Sequence, residues 1–86
     1  MISGTTRTGF EYEISDEALD DYDLLEALNE YKDGEVHLVT KIADYLLGRE
    51  QKERLKDHAR VNGRVSATKM MNEISDILNG SGEVKN

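Results

Sequence analysis

The chain has 86 residues, contains no cysteine and carries a formal net charge of −7 at pH 7. A chain of this length accommodates one domain, which buries only about 60–65% of the surface that the unfolded chain exposes. The lack of cysteine excludes disulfides and thiolate metal sites, and no apolar run is long enough to predict a signal peptide or a membrane span. We therefore expect a cytoplasmic protein that does not enter a membrane.

The negative charge is concentrated in the first half of the chain. Residues 1–47 carry twelve acidic and three basic side chains, whereas residues 48–86 carry six acidic and eight basic ones. This asymmetry would permit head-to-tail self-association, giving a homo-oligomer, or binding to a basic partner. Most exposed charge of this kind only keeps a small domain soluble, and that is the favoured interpretation.

The stretch GFEYEI has the alternation that is typical of a β-strand. Phe10, Tyr12 and Ile14 alternate with glutamates, which predicts a short strand with one buried face. A single strand needs a partner, and residues 63–66 are the favoured one, giving a small two-stranded ladder. The alternative is an open edge that pairs with a strand of another chain.

Four amphipathic helices are predicted after this strand. They lie near residues 20–33, 35–47, 49–60 and 66–79. Gly48 breaks the apolar periodicity between the second and the third helix. The sequence therefore predicts a mainly α fold, a compact bundle of four short helices with a short N-terminal β-strand. This single domain would span residues 9–79, between a flexible N-terminus at 1–8 and a flexible C-terminal tail at 80–86.

Polar residues and glycines mark the predicted ends of the helices. Ser15 is expected to cap a short helical turn, and Asp20 and Ser66 are expected to cap the first and the fourth helix. Gly34 and Gly80 would end these two helices, because glycine accepts the left-handed backbone conformation common at helix ends.

The second predicted helix is expected to form the centre of the core. Its apolar residues recur at helical spacing: Val36, Val39, Ile42, Ala43, Leu46 and Leu47. The first helix would bury Leu24, Leu25, Leu28 and Tyr31. The fourth would bury Met70, Ile74, Ile77 and Leu78, with Met71 nearer the rim. The alternative for this last face is an adaptable partner groove, since methionine fits irregular surfaces.

No set of residues predicts a reaction centre, a cofactor site or a metal site. His37 and His58 lack partners at catalytic or ligand spacing. A helix-turn-helix is conceivable around the basic third helix, but the fourth helix offers only Lys69 against Glu73 and Asp76. We therefore expect a protein that is not an enzyme, holds no cofactor or metal, and binds no nucleic acid.

A surface that binds another protein is the remaining expectation. The chain has more apolar residues than so small a core is expected to enclose. The face predicted to bind a protein consists of the apolar residues that are least expected to fit inside: Tyr12, Leu25, Tyr45, Leu55 and Met71.

Four segments carry a resemblance to a known family. They are GFEYEI, ALDDYDLLEAL, IADYLLGREQKERLKDH with its internal glycine, and NGRVSATKMMNEISDIL. Together they cover most of residues 9–79, and they resemble the small tail assembly chaperones that long-tailed phages and prophages of Gram-positive bacteria encode. The likeness lies in helix starts and apolar spacing.

The resemblance implies a non-enzymatic role in the cytoplasm of a bacterial host. Members of the family escort the long tape-measure protein while tail tube subunits polymerise around it, so the implied partners are the tape-measure protein and the tail tube protein. The alternative is a small acidic regulatory adaptor, or a DNA mimic that inhibits a basic enzyme.

Overall fold

The computed structural model describes residues 1–31 and 38–84, with side chains through residue 80. Over these residues the elements are β1 (Ile2–Thr5), β2 (Glu11–Ile14), α1 (Asp16–Leu19), α2 (Tyr22–Tyr31), α3 (Leu38–His58), β3 (Arg60–Val61), β4 (Arg64–Val65) and α4 (Ala67–Val84). The prediction of a mainly α fold is confirmed. The predicted helix end at Gly34 and helix start at residue 35 lie outside the described residues, as do Val36 and His37.

The N-terminus forms a β-hairpin. Strand β1 pairs antiparallel with β2, with Ile2 opposite Ile14. Backbone hydrogen bonds close the connecting loop, since Thr6 N donates to Phe10 O at 2.9 Å and Gly9 N donates to Thr6 O at 2.9 Å. Gly9 has a φ of 96°, a conformation that glycine adopts without a Cβ penalty.

This hairpin overturns two sequence predictions. Residues 1–8 are not a flexible extension, because residues 2–5 are one strand of the hairpin. The partner of β2 is therefore β1 and not residues 63–66. The stretch ISGT contains a single large apolar residue, so it lacks the alternation that identifies a strand, and only the pairing itself reveals it.

A second, smaller hairpin joins α3 to α4. Strands β3 and β4 pair antiparallel, with Arg60 opposite Val65. Asn62 and Gly63 connect them with φ values of 52° and 84°, as a two-residue hairpin of the Asn-Gly type requires. Residues 64 and 65 thus pair with their own neighbours in the chain.

Gly48 divides α3 into an N-terminal arm, residues 38–47, and a C-terminal arm, residues 49–58. Its backbone is not helical, with φ 81° and ψ 168°. The predicted break at Gly48 is confirmed. Because Leu46 of the first arm and Leu55 of the second are both buried in the same core, both arms face the centre of the molecule.

The core is built from β2, α2, both arms of α3, and α4. Its most enclosed side chains are Ile14, Ile42, Leu55, Ile74 and Ile77. The predicted core positions of the second helix are confirmed for all the described members: Val39, Ile42, Ala43, Leu46 and Leu47. Fully burying each aliphatic side chain contributes about 1.5–3 kcal/mol.

Helix α2 differs from its predicted buried stripe at one position. Leu25 is 60% exposed, and Ala27 is buried in its place. The reason is the helical period: Leu24, Ala27 and Leu28 are spaced by three and four residues, whereas Leu25 lies about 100° around the helix from Leu24.

Side-chain caps fix the starts of three helices. Ser15 Oγ accepts a hydrogen bond from Ala18 N at 3.0 Å, and Ser66 Oγ accepts one from Lys69 N at 3.2 Å; both predicted caps are confirmed. Asp21, and not the predicted Asp20, caps α2, since its Oδ1 accepts from the backbone N–H of residue 23 at 2.8 Å.

Helix α4 runs past its predicted end. Its bounds are Ala67–Val84, so Gly80 does not terminate it. The predicted tail at 80–86 therefore begins too early, and residues 85–86 lie outside the described part. Glycine at position 80 leaves room for the Tyr12 side chain.

Candidate partner-binding groove

The five residues predicted to form a binding face do not lie on one surface. Tyr12 and Leu55 are buried in the core, which corrects their assignment to an exposed face. Leu25 is exposed on α2. Tyr45 and Met71 are partly buried, and they line two different hollows.

Two glycines explain why Tyr12 is buried. A Cβ on Gly4 of β1 would lie 2.7 Å from the Tyr12 Oη, and a Cβ on Gly80 of α4 would lie 2.9 Å from the same atom. Both distances are far shorter than a van der Waals contact, so glycine at both positions opens the slot that the tyrosine side chain occupies. The slot could not be predicted from the sequence, because the two glycines lie in segments that are far apart in the chain.

The bend at Gly48 explains why Leu55 is buried. In the sequence, the C-terminal arm is a mostly charged helix with a thin apolar stripe. The bend allows this stripe to face the core, where Leu55 and Ala59 are both enclosed. Leu55 is therefore a structural residue and cannot reach a partner.

Met71 lines an open apolar groove between α3, β4 and α4, with a volume of about 440 Å³. We call it the methionine groove. It is lined by Val39, Thr40, Ala43, Lys52, Lys56, Val65, Ala67, Met70 and Met71. On this face of α4, Ile74 and Ile77 are core, as predicted, whereas the two methionines are partly buried and border the groove.

Helical spacing and the bend bring the lining residues together. Val39 and Ala43 are four residues apart on the N-terminal arm of α3, and so present neighbouring side chains. Lys52 and Lys56 have the same spacing on the C-terminal arm. The bend at Gly48 lets this arm line the groove together with the N-terminal arm. The opposite wall begins where Ser66 caps α4, so the two methionines stand in the first turns of that helix.

The two lysines give the groove a cationic border. Lys52 Nζ lies 2.6 Å from Asp44 Oδ1, and Lys56 Nζ lies 3.4 Å from Glu53 Oε2. These pairs are partly exposed, so each contributes at most about 1 kcal/mol. A carboxylate from a partner can therefore replace either acidic side chain at small cost.

A second cluster lies where the N-terminal hairpin loop meets α3 and α4. The Thr8 hydroxyl donates to Glu73 Oε2, and Thr8 Oγ1 lies 2.8 Å from His58 Nε2. Because the hydroxyl proton points to Glu73, the imidazole donates from Nε2. The carboxylate binds the hydroxyl and not the imidazole, so the order of contacts differs from a Ser-His-Asp triad. Its evident role is to hold the loop.

Glu73 is the residue that the sequence prediction missed. It is 5% exposed, and its Oε1 has no hydrogen-bond partner among the described residues. One signal was available: Glu73 stands three residues after Met70 and four before Ile77, which places a charged side chain within the apolar stripe of α4.

No family model, curated protein or solved structure matches this chain. Within the described residues, no group of three or more histidine, cysteine, aspartate or glutamate side chains is arranged to hold a metal ion. None of the helices found in those residues combines the length and apolar character needed to cross a bilayer.

Proposed function

We propose that the chain is a tail assembly chaperone that binds an amphipathic helical segment of a tape-measure protein in the bacterial cytoplasm, without catalysing a reaction. The observation that carries this proposal is the methionine groove, an apolar hollow whose border holds two lysines. The family is proposed from the sequence resemblance. The groove supplies a place where an apolar side-chain row with neighbouring acidic residues would bind.

The chemistry of the groove suits reversible binding. Methionine side chains are flexible and polarisable, so they adapt to apolar surfaces of different shape. Full burial of an apolar side chain contributes about 1.5–3 kcal/mol, and each methionine would contribute less to binding because it is already partly buried. Association costs at least about 4 kcal/mol in lost freedom of motion. A groove with two methionines therefore favours weak and reversible binding.

Other parts of the sequence prediction belong to this proposal. The tail tube protein is the second proposed partner, and the helices are proposed to act as one compact bundle. Of the five predicted binding residues, Met71 is the one in the groove, whereas Leu25 and Tyr45 lie elsewhere. Self-association remains a further prediction, measurable by size-exclusion chromatography with light scattering.

The proposal is tested by co-expression with the tape-measure protein of the same genome. The double variant Met70→Gln and Met71→Gln keeps side-chain size and charge, but it makes the groove polar. Val61→Gln is the matched control, because Val61 is exposed and lies outside the groove. The wild type and the control are expected to keep the tape-measure protein in the supernatant and to co-purify with it, whereas the double variant is expected to do neither.

Two results would overturn the proposal. The tape-measure protein could stay insoluble with the wild type and form no complex. Alternatively, the double variant, shown to be folded by circular dichroism, could bind as well as the wild type, which would exclude the groove. Neighbouring genes for a tail tube protein and a tape-measure protein would add support, while neighbouring regulatory or defence genes would favour the acidic adaptor or DNA mimic.

A further inference from the structure

The turn of the β3–β4 hairpin consists of Asn62 and Gly63, which are both exposed to solvent. Their φ values of 52° and 84° are positive, and such a turn selects residues that tolerate positive φ, above all asparagine and glycine. Asparagine followed by glycine is also a reactive pair, because a glycine nitrogen has no side chain beside it and can attack the asparagine side-chain carbonyl carbon. The residues that suit this turn are therefore also residues that can react with each other.

The backbone nitrogen of Gly63 is free to react. Over the part of the chain that the structure describes, its N–H donates no hydrogen bond. A Cβ on Gly63 would meet nothing within 4 Å, so no neighbouring group fills the space around the turn. The ladder that holds the turn pairs only Arg60 with Val65 and Val61 with Arg64. The backbone rotation that ring closure requires therefore disturbs little of the fold.

The same dipeptide occurs at Asn79 and Gly80, but there it is protected. Both residues lie inside α4, where the N–H of Gly80 is bonded to the carbonyl four residues earlier. The Cβ of Asn79 tilts toward the N-terminus of the helix, whereas the Gly80 nitrogen lies in the opposite direction. Ring closure at Asn79 therefore requires local unfolding of α4. This second dipeptide is a control within the same chain.

The charge around the turn favours the attack. A backbone nitrogen attacks only after it loses its proton, and nearby cations stabilise the negative charge that results. Arg60 Nη1 donates to Gly63 O at 3.4 Å, and Arg64 follows Gly63 in the chain. Asp57 Oδ1 accepts from Arg60 Nη2 at 3.1 Å and offsets one of these two positive charges. One positive charge remains beside the turn.

We propose that Asn62 is a site of spontaneous deamidation. The Gly63 nitrogen gives up its proton and forms a bond to Asn62 Cγ, while the bond from Cγ to Nδ2 breaks and Nδ2 takes up a proton and leaves as ammonia. Water then opens the resulting succinimide ring. Opening at Cγ gives aspartate, whereas opening at the main-chain carbonyl carbon gives isoaspartate. No enzyme, cofactor or electron transfer is required.

The isoaspartate product is expected to open the hairpin. Its main chain runs through Cβ and Cγ of residue 62 and is thus one carbon longer, whereas the register of a hairpin is fixed by the length of its turn. The hairpin connects α3 to α4, and Ser66 N donates to Ala59 O at 3.0 Å at its base. Val65 of β4 also lines the methionine groove, so the modification would change the border of that groove. It requires no partner and is therefore independent of the proposed function.

The experiment incubates the full chain at mildly alkaline pH, once folded and once unfolded in guanidinium chloride. Samples taken over time are cleaved after lysine, which releases residues 57–69 with Asn62 and residues 70–85 with Asn79. Mass spectrometry measures the mass gain that results when OH replaces NH2 in each peptide. Fragment ions distinguish Asn79 from Asn72, and aspartate from isoaspartate.

In the folded chain, Asn62 is expected to be deamidated at least about tenfold faster than Asn79, because only the helix keeps the attacking nitrogen out of position. In guanidinium chloride the two rates are expected to be similar, since each asparagine is then followed by an unconstrained glycine. Equal rates in the folded chain would overturn the proposal. So would a folded chain that leaves Asn62 intact while the unfolded chain converts it.

The effect on the hairpin is measured on the isoaspartyl form, isolated by chromatography. Asn62→Asp is the matched control, because it introduces the same charge on an ordinary backbone, and Asp-Gly also suits this turn. The control is expected to unfold in urea close to the wild-type midpoint, and the isoaspartyl form at a lower urea concentration. Equal midpoints for these two proteins would show that the hairpin tolerates the longer backbone, and would refute this part of the proposal.

Discussion

Replacing Gly48 by alanine tests whether α3 is bent, because the sign of the effect depends on the bend. In a continuous helix, alanine in place of glycine raises the free energy of unfolding by about 0.5–1 kcal/mol. Gly48 instead has φ 81° and ψ 168°, a region that only glycine occupies without strain. An alanine forced into it costs about 1–3 kcal/mol.

The magnitude follows from the backbone alone. A Cβ at Gly48 would meet nothing within 4 Å, so no steric clash adds to the strain. Alanine also restricts the unfolded chain, which offsets about 0.4–1 kcal/mol of the loss. We therefore expect Gly48→Ala to lower the free energy of unfolding by about 1–2 kcal/mol, equivalent to about 4–16 °C in Tm for a domain of this size.

The assay is urea unfolding followed by far-UV circular dichroism, with Glu50→Ala as the control. Glu50 is exposed on the C-terminal arm, so its substitution is expected to change stability by less than about 0.5 kcal/mol. A Gly48→Ala variant that is as stable as the wild type, or more stable, would refute the bend. The explanation of why Leu55 is buried would then be wrong, and so would the account of how the lysines reach the methionine groove.

Three further substitutions test contacts between distant segments. Gln51→Met is expected to lower the free energy of unfolding by about 1–2 kcal/mol, because it removes two hydrogen bonds to the backbone of Glu13. The Gln51 amide accepts one from Glu13 N at 2.7 Å and donates the other to Glu13 O at 2.7 Å. An unchanged midpoint of urea unfolding would contradict this prediction. Gly80→Ala is expected to destabilise the wild type by about 1 kcal/mol, because the added Cβ would contact the Tyr12 hydroxyl. In a Tyr12→Phe variant, which lacks that hydroxyl, the same substitution is expected to raise stability. Equal effects of Gly80→Ala in the two proteins would show that the contact does not exist. Glu73→Met is expected to raise the free energy of unfolding by about 1 kcal/mol, because it removes a buried carboxylate with an unpartnered oxygen. A lower Tm in thermal unfolding would contradict this, since it would show that the hydrogen bond from Thr8 to Glu73 outweighs the cost of burying the carboxylate.

The contact between Gln51 and Glu13 also bears on whether β2 is open to another chain. The sequence favoured a ladder within the chain, with an open edge as the alternative. In the structure, β1 covers one edge, and the Gln51 side chain occupies both backbone hydrogen-bonding groups of Glu13. Pairing of a further strand at this position would have to displace that amide.

The sequence by itself determined the features that depend on neighbours within one or two helical turns. The apolar spacing from Val39 to Leu47 identified the core helix, and Gly48 marked its end. Ser15 and Ser66 were identifiable as caps because a capping side chain bonds to a backbone N–H only three residues away.

Tertiary structure alone decided which of the remaining apolar residues are enclosed and where the surfaces lie. Tyr12 is buried because Gly4 and Gly80 leave room for it, and these glycines are 76 residues apart in the chain. Thr8 meets Glu73 across 65 residues. Such contacts depend on how the helices are bent and packed, which no local pattern encodes. For that reason Met71 in the groove and the exposed Leu25 on α2 lie on two separate surfaces and not on the single predicted face.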